Sequence, residues 1–161
     1  MERRGLTEMI VRDSWWVVVQ VPLLLLAYFL PEWFGTEPGT DLGKIVRLAG
    51  AVPLVLGAAI IFLGAVSLGR YLTPYPRPLD NALLKDNGVY ALVRHPIYSG
   101  IILASAGWSL ISLSWPGLAF TALLGLFFDR KAAYEEFWLA RKFAAYADYQ
   151  KRVKKLIPWV Y

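Results

Sequence analysis

PIYSGIILASAGWSLISLSWPGLAFTALLGLFF, residues 96–128, decides how this chain folds. Its 33 residues carry no charge. As one helix they would run about 50 Å at 1.5 Å per residue, well beyond the ~30 Å hydrocarbon core of a bilayer. Near the middle stands Ser114-Trp115-Pro116-Gly117, a turn signal. The stretch therefore reads as a helical hairpin, 97–114 followed by 116–132.

Two uncharged runs precede it. Residues 14–31 span 18 positions and residues 48–69 span 22, close to the roughly 20 that cross a bilayer as helix. The chain of 161 residues is 57% hydrophobic, above the share of a soluble domain. The expected architecture is all-α, a single membrane-embedded domain over residues 1–161 with four transmembrane helices. Residues 1–69 supply the first two spans. Residues 70–161 supply a connector, the hairpin and a C-terminal amphipathic helix.

Lysine and arginine orient these spans. Three lie at the N-terminus (Arg3, Arg4, Arg12), four in 70–96 (Arg70, Arg77, Lys85, Arg94) and eight in 129–161. The 32–47 loop has only Lys44 and Arg47, beside Glu32, Glu37 and Asp41. Four spans place the three basic segments on one side, which the positive-inside rule makes cytoplasmic, both termini included. Such segments favour contact with membrane lipids. The cations line membrane edges, so the net charge of +5 does not indicate nucleic acid. There is no cysteine, which excludes disulfides, thiolate metal sites and cysteine nucleophiles. A single histidine argues against a multi-histidine zinc site, and no metal is expected.

Elements follow from smaller signals. Residues 1–13 form a polar lead-in. Gly50, Gly57 and Gly64 recur every seven residues, and Gly100, Ala104 and Gly107 form a second small-residue stripe. Faces of this kind let helix backbones approach closely, so the two are expected to mate. Pro74, Pro76 and Pro78 block a regular helix in the connector. From 129 onward, Leu139, Phe143, Tyr146, Gln150 and Val153 fall on one stripe of an amphipathic helix.

Two constellations carry chemistry. Arg94-His95-Pro96, between Tyr90 and Tyr98, marks the start of the third span, since proline suits the first turn of a helix. Asp129-Arg130-Lys131 with Glu135-Glu136 marks the end of the fourth. Ionisable groups at that depth tend to pair and to mark functional sites. Both lie on the same side, and together they suit a zwitterionic ligand. There are donors for a carboxylate, acids for an ammonium and ribose hydroxyls, and aromatic faces for a base or cation.

The succession LTPYPRP, GVYALVRHPIYSG, a hydrophobic hairpin and EEFWLARKFAAYADYQKRVKKLIP resembles the isoprenylcysteine carboxyl methyltransferase and phospholipid methyltransferase group of integral membrane enzymes. The resemblance covers roughly residues 70–161. It implies S-adenosylmethionine-dependent methyl transfer to a small lipophilic or lipid-linked acceptor that enters from the bilayer. By position it implies that Leu83, Leu84, Tyr90, His95, Pro96, Ile97, Tyr98 and Glu135 bind the donor. It puts an acceptor-orienting cation at Lys131, or at Arg130 with a one-residue shift. Glu136 or His95 would serve as base for an amine or hydroxyl acceptor. Phe143-Ala144 stands where the family has Phe-Gly, so no glycine joint is expected there. The short chain suggests the inner membrane of a prokaryote. Other classes that share such features are an NADPH-dependent sterol-type reductase and a non-catalytic lipid-binding scaffold.

Overall fold

A computed structural model describes the backbone of residues 2–161 and the side chains of residues 13–161. The side chains of the lead-in up to residue 12, with its three arginines, lie outside the described residues. Five α-helices follow one another: α1 (Glu2–Trp33), α2 (Asp41–Leu68), α3 (Pro96–Ile111), α4 (Trp115–Lys142) and α5 (Tyr146–Arg152). Two single 3-10 turns, Gly69–Tyr71 and Gly88–Ala91, punctuate the connector. Among the described residues there is no β-strand, only an isolated parallel bridge between Val93 and Lys154.

The expected hairpin is present, with its boundary moved. α3 closes at Ile111, Leu113 takes a left-handed conformation (φ 51°), and Ser114 caps α4 by accepting from the Gly117 amide. A buried hydroxyl pair, Ser105 and Thr121 at 2.8 Å, ties the two arms. α1 joins them through the Trp108 indole, which donates to the Tyr28 carbonyl at 2.9 Å. Ala27, Leu124 and Phe128 form the core that α1, α3 and α4 share.

The glycine stripes do mate. α2 and α3 make the most extensive helix–helix contact in the molecule. A Cβ on Gly50 would lie 2.8 Å from the Leu110 Cβ, and one on Gly100 would lie 2.7 Å from the Gly57 carbonyl oxygen. Only backbones without side chains approach so closely.

Two helical segments are long and apolar enough to cross a membrane, Asp13–Trp33 and Asp41–Tyr71. Their outward faces expose large apolar side chains, among them Val18, Leu48, Val55 and Phe62. The hairpin arms fall short of the same standard. α3 has 16 residues, about 24 Å, and α4 becomes charged after Phe128.

The C-terminal part differs from expectation. α4 continues ten residues past 132, so Lys131, Glu135 and Glu136 sit on a helix rooted in the hairpin. The single amphipathic helix expected from 129 is broken at Phe143, whose backbone is extended (φ −118°, ψ 112°). The chain bends there without a glycine. Tertiary packing accounts for it, because the break lets Tyr146, Tyr149 and Val153 turn inward against Leu84, Leu139 and Phe143.

Candidate active site

The connector is shaped by its prolines and by Gly88, where a positive φ of 58° turns the chain into the 3-10 turn that buries Tyr90. Val93 to His95 then pair with the C-terminal tail. The Arg94 amide donates to the Lys154 carbonyl at 2.8 Å and the His95 amide to the Lys155 carbonyl at 3.1 Å. His95 is the N-cap residue of α3 and Pro96 occupies its first turn. The tail thus clamps the arginine and the histidine in place from the far end of the sequence.

Their side chains meet α4. Arg94 Nε donates to Glu136 Oε1 at 2.7 Å, and His95 Nε2 lies 3.0 Å from the same oxygen. Gln150 Nε2 donates to Glu136 Oε2 at 3.1 Å. Burial works to raise the Glu136 pKa, but the bonds from His95 and Arg94 outweigh it and hold the carboxyl at about 2. Arg94 also donates to the Gln150 and Val153 carbonyls. The other face of the imidazole looks at Glu135, with Nδ1 3.6 Å from Oε2. Tyr98 donates to that oxygen at 2.9 Å, and its ring stacks parallel to His95 at 5.4 Å.

Two clefts flank this cluster. The first, a cavity of about 90 Å³, runs between the connector and the ends of α4 and α5; its walls include Arg77, Leu83, Leu84, Arg94 and Tyr146. The second, a cavity of about 290 Å³, opens between α1, α3 and the connector; Gln20, Leu72, Pro74, Ile97, Tyr98 and Lys131 line it. Tyr90, His95 and Glu135 belong to both. In the first cleft, burial and the charge of Glu135 push the Tyr90 phenol well above its ordinary range. Burial does the same to Tyr146, whose buried hydroxyl makes no hydrogen bond among the described residues.

The residues singled out in the sequence separate accordingly. Leu83, Leu84, Tyr90, His95 and Glu135 line the first cleft. Pro96, Ile97 and Tyr98, expected on the same ligand, line the second instead. They follow His95 directly in the first turn of α3, where Pro96 and Ile97 pack beside Gly64 of α2. Lys131 is buried in the second cleft, where it donates to Gln20 and to the Pro74 carbonyl at 2.8 Å. Arg130 is exposed and lines neither cleft, so the alternative of a one-residue shift is not supported by geometry. Glu136, expected as a base, is turned away from both clefts, with each oxygen engaged by donors. Sequence reasoning passed over Tyr146, Gln150 and Gln20. Gln150 had a helical stripe as its only signal, whereas Tyr146 also opens the Tyr-x-x-Tyr of the C-terminal motif. Gln20 had a better one, as the single amide in the uncharged run 14–31.

Apolar helices turned outward around a polar cluster at one helix end characterise a membrane-associated protein. Residues 45–146 match the family described as phospholipid methyltransferase. That is more than half of the chain, and the chain belongs to this family. It is 34% identical to a probable protein-S-isoprenylcysteine O-methyltransferase of Oryza sativa subsp. indica, over 71% of this chain and 62% of the relative. It is 29% identical to protein-S-isoprenylcysteine O-methyltransferase A of Arabidopsis thaliana, over 86% and 72%. A steroid 5-alpha-reductase of Solanum lycopersicum is 34% identical over 81% of this chain but only 45% of its own length. The chain thus spans about 62% of the rice relative it matches.

Proposed function

We propose that this chain transfers a methyl group from S-adenosylmethionine to a small lipophilic or lipid-linked acceptor at the cytoplasmic face of a membrane. The observation that carries the reading is the meeting of the two clefts at Tyr90, His95 and Glu135. A transferase must hold two substrates with their reacting atoms adjacent, and two clefts with a common wall do that.

The first cleft fits the donor chemically. Glu135 offers a carboxylate to an ammonium or to ribose hydroxyls. Tyr71, Tyr90, Tyr146 and Tyr149 offer aromatic faces, and the unpartnered Tyr146 hydroxyl offers a hydrogen bond. When bound, the sulfonium supplies an already activated methyl group. The chain's own residues then bind, align and exclude water. Alignment of this kind contributes up to about 7–11 kcal/mol. Glu136 anchors Arg94 and His95, and Tyr98 holds Glu135 toward the shared wall. A carboxyl held at about 2 is a weak base, so an acceptor that is already anionic suits this site best.

The second cleft serves the acceptor, with Leu72, Ile97 and Ile101 for an apolar chain and Lys131 at its polar end. We read α1, α2 and the hairpin as four spans. The connector and residues 129–161 then lie on the cytoplasmic side, as the placement of fifteen of the seventeen lysines and arginines favours. The match to a steroid reductase keeps one rival in view, nicotinamide binding in the same cleft. Equilibrium dialysis of the detergent-solubilised chain against labelled S-adenosylmethionine and NADPH tests the reading. Saturable binding of the first without competition from the second is expected. Binding of NADPH alone would favour the reductase, and binding of neither a scaffold.

A further inference from the structure

A groove of about 780 Å³ lies on the face of α3 turned away from the second cleft. Ser99, Ile102 and Ala106 of α3 look across it to Ala122, Gly125 and Asp129 of α4, and the C-terminal tail closes one end. Tyr90, His95 and Glu135 do not line it, so it is separate from the site described above. Ser99 stands among apolar neighbours but is satisfied, since its hydroxyl donates to the Leu156 carbonyl at 2.7 Å. The groove follows α3 from Pro96 to Ala106, about 15 Å and so half of the ~30 Å hydrocarbon core. α4 runs antiparallel, and its stretch from Ala122 to Asp129 lines the same half. A partner's transmembrane helix would need the whole thickness, whereas an acyl chain of one leaflet needs half.

Charge gathers at the end closed by the tail. Lys155 Nζ donates to Asp129 Oδ1 at 2.6 Å and to the Tyr161 hydroxyl at 3.2 Å, and that hydroxyl donates to the same Asp129 oxygen at 2.9 Å. An ammonium has three N–H groups, so one is left for a further acceptor. Arg130 follows Asp129 and Lys154 precedes Lys155; both are exposed. Among the side chains here, three cations stand against one carboxylate, and Lys155 already pairs with it. Trp159 and Tyr161 are exposed at the same end, where such aromatic side chains mark the headgroup level of a bilayer.

We propose that this groove holds one acyl chain of an anionic phospholipid, with its phosphate beside Lys155, Arg130 and Lys154. The excess of cations draws an anionic headgroup, and the remaining Lys155 N–H gives the phosphate a charge-assisted bond. A zwitterionic lipid brings a choline that gains nothing from three cations. The lipid is a resident of the fold and not the methyl acceptor, because α3 stands between it and the wall where the two clefts meet. The inference rests on the hairpin lying in the bilayer and is independent of methyl transfer.

Native mass spectrometry tests this on the full chain, stripped of lipid in detergent and titrated with palmitoyl-oleoyl phosphatidylglycerol or phosphatidylcholine. One phosphatidylglycerol per chain is expected, bound at least about tenfold more tightly than phosphatidylcholine, the scale of a hydrogen bond to a charged group. Gly125→Leu fills the groove. A Cβ there has the Ile102 Cδ1, at 4.0 Å, as its nearest neighbour beyond its own helix, so the side chain grows into open space. It should weaken phosphatidylglycerol by about tenfold or more and leave the lipid-free melting temperature unchanged. Lys155→Gln should remove most of the headgroup preference, and Lys155→Arg should keep it. Lys154→Gln leaves the Lys155–Asp129 pair intact and should lower the preference about fivefold, the usual weight of one surface cation on an anionic lipid. Equal affinity for the two lipids, or unaltered phosphatidylglycerol binding in Gly125→Leu, overturns the inference. So does a lipid-free dimer that Gly125→Leu dissociates, which would give the groove to a second copy of the chain.

Discussion

Glu136 is the residue on which the cluster turns. It gathers Arg94, His95 and Gln150 from two distant parts of the chain, and each contact is charge-assisted. Its pKa is depressed in the folded state to about 2, against about 4.3 unfolded. The stability it contributes is therefore fully present above pH ~4.5 and is lost as pH falls through about 2. Glu136→Gln should lower the melting temperature at pH 7 and flatten its decline between pH 5 and 3, measured by thermal scanning in detergent. An unchanged acid slope would mean that the cluster is not charged as described. Lys131→Ala should reduce turnover at least tenfold, while Arg130→Ala should leave it within about twofold, in a methyl-transfer assay. Equal losses would return the choice between the two cations to open. Positions such as Tyr90, His95 and Glu135 were legible because RHP and the paired glutamates are local signals. That Tyr98 lines the second cleft alone while Tyr90 lines both was not, since it depends on which way α3 faces as it enters the bundle.

The pairing of α2 with α3 rests on glycines, and its cost of disruption can be gauged. A Cβ on Gly57 would lie 2.6 Å from the Ala104 amide nitrogen and 2.9 Å from the Ala104 Cβ. Gly57→Ala should destabilise by about 1–3 kcal/mol, the usual penalty of overpacking, and Gly57→Leu by more. Gly39, with open space around it, should accept alanine with a change under about 0.5 kcal/mol. Chemical denaturation of both variants in micelles checks the contrast. The mating faces could be read from a seven-residue repeat, and the hairpin turn from Ser-Trp-Pro-Gly. The break at Phe143 could not. Residues 142–145 contain no glycine or proline, and the helix ends because tyrosines beyond it find a better surface against the connector. Arg77 is likewise brought to Asp13 by folding alone, 64 positions along the chain.

Taken across all its helices, the chain places polar chemistry at one end of an apolar bundle. Charge-free runs and the lysine and arginine bias made that division visible from the start. The number of spans is less plainly written, because α3 is short and α4 carries its charges within one continuous helix. What no local pattern announces is the tail, residues 153–161, returning to clamp Arg94 and His95 through backbone bonds. Methyl transfer by this chain requires that the first cleft receive an adenosyl donor. Saturation binding of labelled S-adenosylmethionine to the purified natural chain and to Glu135→Ala and Tyr146→Phe measures this directly. Saturable binding is expected, weakened about tenfold or more by Glu135→Ala and less by Tyr146→Phe. Absence of saturable binding, or equal affinity in all three proteins, would contradict it.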